Sequence, residues 1–136
     1  MRFHHFAIEV GDMDRSIAFY EKLNFVLQDK KIKVTGMKSK SFEGDLFYAY
    51  LKDTSGFCLE LIEVCHKKQM EPLLAPLCPH LALESDDFEA DLALLKERGV
   101  AFFDGPRTIP GDVKILSILD PDGYRIDIGQ SLKSKK

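Results

Sequence analysis

The feature that most constrains this chain is an internal repeat. Residues 120–128 (Asp-Pro-Asp-Gly-Tyr-Arg-Ile-Asp-Ile) match residues 53–61 (Asp-Thr-Ser-Gly-Phe-Cys-Leu-Glu-Leu) in pattern. Each copy predicts a turn that ends in glycine, followed by a strand with one carboxylate between two aliphatic residues. A second match pairs residues 5–9 (His-Phe-Ala-Ile-Glu) with residues 80–84 (His-Leu-Ala-Leu-Glu). The sequence therefore predicts two copies of one unit, each with a histidine on its opening strand and a carboxylate on its closing strand.

Strand alternation separates the apolar residues of these strands from the polar ones. Side chains at alternate positions point to opposite faces, so aliphatic residues share one face and the histidine or carboxylate lies on the other. The polar faces carry His5 and His80 on the opening strands, and Glu60 and Asp127 on the closing strands. If an approximate twofold axis relates the halves, these four side chains converge. The alternative is that the histidines are structural and the carboxylates solvated, which suits a single histidine better than a set repeated in both halves.

The chemistry of this set favours a divalent cation. An unpaired buried carboxylate costs several kcal/mol or takes up a proton, and one cation relieves that cost for two carboxylates at once. Two imidazoles with two carboxylates suit Ni²⁺, Co²⁺, Mn²⁺, Fe²⁺ or Zn²⁺, and the spacing does not choose among them. His4 is expected to point away from His5 and to be structural, and His66 is expected at the surface.

The fold class predicted is α+β, with two βαβββ repeats that form a curved, mostly antiparallel sheet cup with helices outside. Residues 1–136 are expected to form one domain from a first half (1–65), a proline-containing linker (66–79), a second half (80–130) and a basic tail (131–136). The first half is predicted to hold strands at 2–10, 25–28, 46–52 and 57–64, a helix from Asp12 to Asn24, and a polar stretch without pattern at 29–45. The second half is predicted to hold strands at 80–85, 100–103, 113–119 and 123–129, a loop at 106–112, and a helix that Asp86 or Asp87 caps and Gly99 ends.

Composition excludes several classes of function. A net charge of −3 and a pI near 5.8 give no general attraction to nucleic acid or to an anionic membrane. The apolar runs are shorter than a membrane span, and the N-terminus lacks the pattern of a signal peptide, so a cytoplasmic location is expected. The three cysteines lack C-x-x-C spacing and fit a reducing compartment, and Cys58 is expected to be a buried residue without a catalytic role.

Several of these segments resemble one known family. Residues 5–13, 16–20, 80–83 and 120–127 look like the vicinal oxygen chelate superfamily, which includes glyoxalase I, methylmalonyl-CoA epimerase, fosfomycin- and bleomycin-resistance proteins and extradiol dioxygenases. By position, the metal ligands of the family fall on His5, Glu60, His80 and Asp127, and this set most resembles glyoxalase I. The resemblance implies a substrate chelated through neighbouring oxygens, an enediolate stabilised by the metal, and Asp127 or Glu60 as the base that moves the proton. Glu9 and Glu84 would line the pocket.

Three departures from the glyoxalase I pattern bear on the substrate. Glu9 stands where the glutathione enzymes usually carry arginine, Val64 where they usually carry asparagine, and Asp127 where they usually carry the longer glutamate. An anion in place of a cation repels the carboxylate of glutathione. The expected activity is therefore that of a metal-dependent lyase or isomerase acting on a small α-oxygenated carbonyl compound or its thiol adduct, with glutathione disfavoured.

Other functions of the superfamily stay open. One alternative is a metal-free binding protein of the bleomycin-resistance kind, whose acidic cup would suit a cationic ligand through Glu9 and Glu84. Another is a different superfamily enzyme, such as an epimerase or a dioxygenase. The site is completed either within one chain or across a homodimer, and the resemblance favours the homodimer. The expected partners are thus a small-molecule substrate and a second copy of the chain, with no nucleic acid and no membrane.

Overall fold

The structure, a computed structural model, describes residues 1–29, 31–38, 43–65 and 80–132. It divides into two compact units, residues 1–71 and 72–136. The predicted linker, with His66 and Cys78, and the last four residues of the predicted tail lie outside the described residues.

The first unit is a five-stranded mixed sheet with one helix. In the order β1-β5-β4-β2, strand β1 runs parallel to β5, the other neighbours are antiparallel, and β3 also pairs with β4. Its elements are β1 (Phe6–Glu9), α1 (Met13–Glu21), β2 (Val26–Leu27), β3 (Ile32–Lys38), β4 (Glu43–Lys52) and β5 (Cys58–Val64).

The second unit repeats this plan with four strands. In the order β6-β9-β8-β7, strand β6 runs parallel to β9 and the other neighbours are antiparallel. Its elements are β6 (His80–Glu84), α2 (Phe88–Glu97), β7 (Asp104–Ile109), β8 (Val113–Leu119) and β9 (Arg125–Ser131). Both units are βαβββ-like modules, and the predicted α+β class is confirmed.

One strand of the first unit was not predicted from the sequence. Strand β3 lies within the polar stretch 29–45, and six of its seven side chains are exposed, with Val34 half-buried. Apolar alternation signals a strand only when one face is buried, so a strand held by backbone pairing to β4 leaves no such pattern. At the other end of the unit, β1 begins at Phe6 instead of residue 2.

The prediction for residues 100–112 was wrong in two places. Val100 does not begin a strand: it is buried, and its N–H donates to the carbonyl of Leu95 in the turn that ends α2. The strand lies instead at Asp104–Ile109 and overlaps residues 106–112, where a loop was predicted. Strand β7 is at the edge of its sheet, where a proline without an N–H is tolerated.

Both helices begin in the same way. The Asp12 carboxylate accepts from the N–H of Arg15, and the Asp87 carboxylate accepts from the N–H of Ala90, each at 3.1 Å. Asp87 is therefore the cap that the sequence left undecided between two residues.

A side chain from each closing strand reaches the first residue of each helix. Glu63 accepts from the N–H of Met13, and Gln130 Oε1 accepts from the N–H of Phe88 at 2.9 Å. Glu63 and Gln130 occupy matching positions in β5 and β9, so the repeat extends to the way each helix is fastened to its sheet.

The aliphatic face of each sheet is the buried one. Leu59 and Leu61 of β5 are fully buried, and α1, which contacts β4 and β5, buries Met13, Ile17 and Tyr20. In the second unit the buried residues are Leu116, Ile118, Ile126 and Ile128 of the sheet and Phe88, Leu92 and Leu95 of α2. Because strands alternate, the opposite face of β5 and β9 carries Glu60 and Asp127.

In each turn before a closing strand, one aspartate accepts hydrogen bonds from backbone N–H groups of the turn. The aspartate of the second turn is the more buried. Asp120 is 4 % exposed, and its Oδ1 accepts from the backbone N–H groups of Asp122 and Tyr124, both at 2.9 Å. Asp53 makes the matching bonds to Ser55 and Phe57 in a half-buried setting. Each turn continues into the strand that carries a candidate ligand.

Replacement of Asp120 by alanine is expected to lower the free energy of unfolding by about 1–3 kcal/mol, because two backbone donors lose a charged acceptor. Urea denaturation measures this loss. Asp120→Asn keeps an oxygen acceptor and should lose less, and Asp53→Ala should also lose less because water replaces the lost acceptor there. Equal stability of Asp120→Ala and the wild type would contradict the role of this turn.

Candidate functional site

In the first unit, strand pairing brings a histidine to a carboxylate. The parallel register of β1 and β5 sets Ala7 opposite Glu60, and His5 precedes Ala7 by two residues. His5 Nε2 lies 3.8 Å from Glu60 Oε1. The histidine side chain is 33 % exposed and the glutamate side chain 14 % exposed.

The second unit builds the same pair. Here the register of β6 and β9 sets Ala82 opposite Asp127, and His80 precedes Ala82 by two residues. His80 Nε2 lies 3.6 Å from Asp127 Oδ2, and the two side chains are 31 % and 14 % exposed. The near-identical distances and exposures show that the repeat extends to the candidate ligands of each unit.

The distances within the two pairs fit a shared cation. Both exceed the normal length of an N–H···O hydrogen bond, about 2.7–3.2 Å. Two atoms that each lie about 2.1 Å from one ion are separated by about 3–4 Å, depending on the angle at the ion. Imidazole nitrogen and carboxylate oxygen are also ligands that first-row divalent ions accept. The histidine and the carboxylate of each pair therefore have a spacing and a chemistry that fit binding to one metal ion.

In the second unit, one oxygen of the carboxylate is already engaged. Ser117 Oγ donates to Asp127 Oδ1 at 2.6 Å, and Arg125 Nε donates to the same oxygen at 2.8 Å. Arg125 Nη2 also donates to Ser117 Oγ at 3.2 Å. The other oxygen, Oδ2, is the one nearer His80.

In the first unit, Tyr50 takes the place of Ser117. Tyr50 lies opposite Glu60 in the register of β4 and β5, as Ser117 lies opposite Asp127 in β8 and β9. A hydrogen bond with Glu60, with burial and the negative charge of Glu60 adding to it, raises the pKa of Tyr50 to about 12. Its ring also meets that of His5 edge-on, with 5.3 Å between centroids. Tyr50 thus links the two members of the pair.

Cys58 holds the position in β5 that Arg125 holds in β9. The thiol is buried, and burial raises its pKa. A thiol with a raised pKa stays neutral near pH 7 and is a poor nucleophile. This agrees with the structural role predicted for Cys58 and makes the two units differ in charge at this position.

The raised pKa of Tyr50 predicts a stability change at high pH in the metal-free protein. The neutral phenol is favoured in the folded state, so this contribution is complete below the unfolded value of 10 and is lost as the pH rises from 10 to about 12. Absorbance of tyrosinate should show a component near pH 12 that Tyr50→Phe removes, and the stability of Tyr50→Phe should fall less over this range. Tyr48→Phe, on the same strand, is the control that should keep the component; a Tyr50→Phe titration identical to that of the wild type would contradict the assignment.

The predicted direction of the His4 side chain, away from His5, was wrong. Because β1 begins only at Phe6, strand alternation does not extend to residues 4 and 5. His4 Nδ1 lies 2.8 Å from His5 Nδ1, and the two rings meet edge-to-face with centroids 5.0 Å apart. One Nδ1 donates and the other accepts, so His4 contributes to the orientation of His5.

The two predicted pocket residues end their opening strands. Glu9 is half-buried opposite Ile62, and Glu84 is exposed opposite Gly129. By alternation, Glu84 lies on the same face of β6 as His80, and Glu9 lies on the same face of β1 as Ala7, whose partner in β5 is Glu60. A shared pocket remains a prediction.

Three residues that contact the carboxylates of these pairs were not predicted from the sequence: Tyr50, Ser117 and Arg125. Arg125 carried a signal, since it precedes Asp127 by two positions and so shares its face of the strand. Ser117 is a lone hydroxyl in an apolar strand, and only the register places it against Asp127. In the part of the chain that the structure describes, no three histidine, cysteine, aspartate or glutamate side chains form one ion-holding group. Each unit offers two candidate ligands.

The described residues include no helix with the length and apolar character needed to cross a membrane.

Comparison with known proteins gives consistent matches over almost the whole chain. The model of the Glyoxalase/Bleomycin resistance protein/Dioxygenase superfamily matches residues 2–128. A probable lactoylglutathione lyase of Vibrio parahaemolyticus is 30 % identical over 96 % of this chain and 91 % of its own length. A probable lactoylglutathione lyase of Synechocystis is 28 % identical over 96 % of both chains.

Two solved structures show the same fold. A glyoxalase family protein from Bacillus cereus superposes with a TM-score of 0.79 over 98 % of this chain and 95 % of its own, at 16 % identity. TnmS3, an antibiotic binding protein from Streptomyces, superposes with a TM-score of 0.62 over 96 % of this chain and 98 % of its own, at 28 % identity.

Proposed function

Because the chain belongs to the glyoxalase/bleomycin resistance protein/dioxygenase superfamily, we propose that it is a metal-dependent lyase or isomerase of the glyoxalase I type. Its substrate would be a small α-oxygenated carbonyl compound or a thiol adduct of one. Relatives named lactoylglutathione lyase, at 28–30 % identity, support this class of reaction.

The observation that carries the proposal is the pair of matched ligands in each unit. An imidazole Nε2 lies 3.8 Å from a carboxylate oxygen in one unit and 3.6 Å from one in the other. In this proposal His5, Glu60, His80 and Asp127 hold one divalent ion. When bound, that ion supplies positive charge where negative charge develops on two neighbouring oxygens of the substrate.

We assign the proton transfer to Glu60 instead of Asp127. One oxygen of Asp127 already accepts hydrogen bonds from both Ser117 and Arg125, so it is occupied by two donors before any substrate arrives. The hydrogen-bond partner of Glu60 is the neutral hydroxyl of Tyr50. In this proposal Glu60 takes a proton from the hydroxyl-bearing carbon beside the carbonyl group and gives it to the former carbonyl carbon, and the hydroxyl proton passes to the former carbonyl oxygen. Tyr50 keeps the carboxylate in place.

Residues of the first unit disfavour glutathione. Half-buried Glu9 lies on the same face of the sheet as Glu60 and presents a negative charge, and Val64, at the end of β5, offers no polar side-chain atom. A substrate with a free carboxylate at this end would meet repulsion and an apolar side chain. We therefore propose a substrate that is neutral or cationic at the end that meets Glu9.

We further propose that the site forms across a homodimer, with one unit contributed by each subunit. The two pairs of ligands belong to separate compact units of the chain, which allows either this arrangement or completion of the site within one chain.

A second candidate function is ligand sequestration without metal. It is favoured by the 28 % identity with TnmS3, an antibiotic binding protein, over 96 % of this chain. Glu9 and Glu84 would then attract a cationic ligand.

The test is an activity screen of metal-loaded protein against three substrate classes. These are hemithioacetals of a 2-oxoaldehyde with glutathione and with other thiols, a branched acyl thioester for epimerisation, and a catechol for ring opening. Turnover of a hemithioacetal that chelators abolish and metal restores supports the enzyme. Protein purified without metal or chelator that holds no stoichiometric transition ion, and that turns over none of these substrates, would overturn it in favour of sequestration.

A further inference from the structure

The feature behind this inference is the environment of Asp127 in the second unit. We infer that Ser117 and Arg125 are positioning residues that leave Asp127 one oxygen for a cation, so that the site selects a first-row transition ion over Ca²⁺. This inference rests on the proposed metal site.

The three side chains are joined in one hydrogen-bond network. Ser117 Oγ and Arg125 Nε donate to the same oxygen, Oδ1, at 2.6 Å and 2.8 Å, and Arg125 Nη2 donates to Ser117 Oγ at 3.2 Å. The side chain of Arg125 is only 20 % exposed and that of Asp127 14 %. A carboxylate bound through charge-assisted bonds on one oxygen has a fixed orientation, because both donors would have to be released before it could turn.

The orientation has a chemical consequence for coordination. Oδ2 lies 3.6 Å from His80 Nε2, whereas Oδ1 is committed to its two donors. Asp127 can therefore offer one oxygen, not two, to an ion that also binds His80. Ca²⁺ takes six to eight oxygen ligands and commonly uses both oxygens of a carboxylate. First-row ions accept imidazole with single-oxygen carboxylates.

The first unit lacks the cationic member of this network. Cys58, with a buried thiol, holds the position equivalent to Arg125, and the neutral hydroxyl of Tyr50 holds that of Ser117. The two carboxylates of the proposed site are thus held differently. Asp127 is a fixed ligand, whereas Glu60 keeps no guanidinium bond of this kind among the contacts described.

The experiment measures Co²⁺ and Ca²⁺ binding to the full chain by calorimetry, with the visible absorption of bound Co²⁺ as a second readout. Wild type should bind Co²⁺ and reject Ca²⁺. Ser117→Ala and Arg125→Met should each weaken Co²⁺ binding about 10–100-fold, as loss of an outer-shell partner does. Their Co²⁺ spectra should also change, because an Asp127 released from its donors can bind through both oxygens. Arg125→Lys keeps the charge but loses the two-pronged geometry, and it should restore only part of the affinity.

The matched control is Arg107→Gln. Arg107 also pairs with an aspartate, Asp104, at 3.0 Å in the same unit, but both side chains are about half exposed. Its Co²⁺ affinity and spectrum should equal those of the wild type.

The outcomes separate this inference from the proposed function. If the wild type takes up no Co²⁺, the proposed metal site fails and this inference fails with it. If the wild type binds Co²⁺ while folded Ser117→Ala and Arg125→Met show the same affinity and spectrum, only the positioning role is overturned. Urea denaturation identifies folded variants, and Ser117→Ala, the smaller change, decides the question if Arg125→Met does not fold. Wild-type protein that binds Ca²⁺ as tightly as Co²⁺ would overturn the selectivity.

Discussion

Replacement of His5 by alanine is expected to strip the metal from the purified protein. In the proposed site this side chain supplies one of the two ligands of the first unit, with Nε2 3.8 Å from Glu60 Oε1. Loss of a direct ligand should weaken binding by more than the roughly 10–100-fold that loss of an outer-shell partner costs. Elemental analysis and calorimetric titration with Ni²⁺ or Co²⁺ measure the change, and the free energy of unfolding of the metal-free variant should stay close to that of the wild type.

His4→Ala provides a graded comparison for this prediction. His4 Nδ1 lies 2.8 Å from His5 Nδ1, so its removal frees the ligand to rotate without deleting it. The affinity should fall by about 10–100-fold, less than for His5→Ala. Equal metal content in the wild type and in folded His5→Ala would contradict the assignment of His5 as a ligand.

The same variant tests the proposed homodimer. When His5→Ala and His80→Ala subunits are unfolded together and refolded, random pairing yields one intact site in each mixed dimer if sites form between subunits. Metal content should then recover to about a quarter of that of the wild type, as twofold symmetry requires. A site formed within one chain would show no recovery, because every subunit lacks one ligand.

The second large effect is expected from Glu60→Gln. The amide keeps an oxygen that can bind a cation, but it does not accept the substrate proton, so turnover should fall by about 10²–10⁴-fold with metal still bound. The measurement is the rate of deuterium incorporation from solvent into the active compound found in the screen, together with metal content. Glu21→Gln, an exposed glutamate of α1 in the same unit, is the matched control and should leave the rate unchanged.

The Asp127→Asn variant tests whether Glu60 or Asp127 is the base. Asp127 already accepts from Ser117 and Arg125, so its replacement should weaken metal binding more than it slows the metal-saturated reaction. If metal-saturated Asp127→Asn lost deuterium exchange while Glu60→Gln kept it, the base would be Asp127 and not Glu60.

The sequence predicted those elements in which apolar residues lie on the buried face and polar residues on the exposed face. Helix α1, with its cap at Asp12, and strands β5 and β9 follow directly from aliphatic spacing and turn residues, and the structure has them where they were expected. Strand β3 and edge strand β7 were missed because their side chains are mostly exposed, and their stability comes from backbone pairing with a neighbour. Backbone hydrogen bonds leave little trace in a residue pattern. A proline such as Pro106 is also uncommon in strands, except at the edge of a sheet.

The repeat in the sequence determined the βαβββ plan and the identity of the four candidate ligands, because both halves carry a histidine and a carboxylate at matching positions. Alternation then assigns Glu60, His80 and Asp127 to a face of their strands without reference to any other element. Only the tertiary structure decided which neighbours those ligands have. Tyr50 against Glu60, and Ser117 with Arg125 against Asp127, depend on the register between adjacent strands. That register is set by long-range pairing, and a shift of one residue would send every one of these side chains to the opposite face of its sheet.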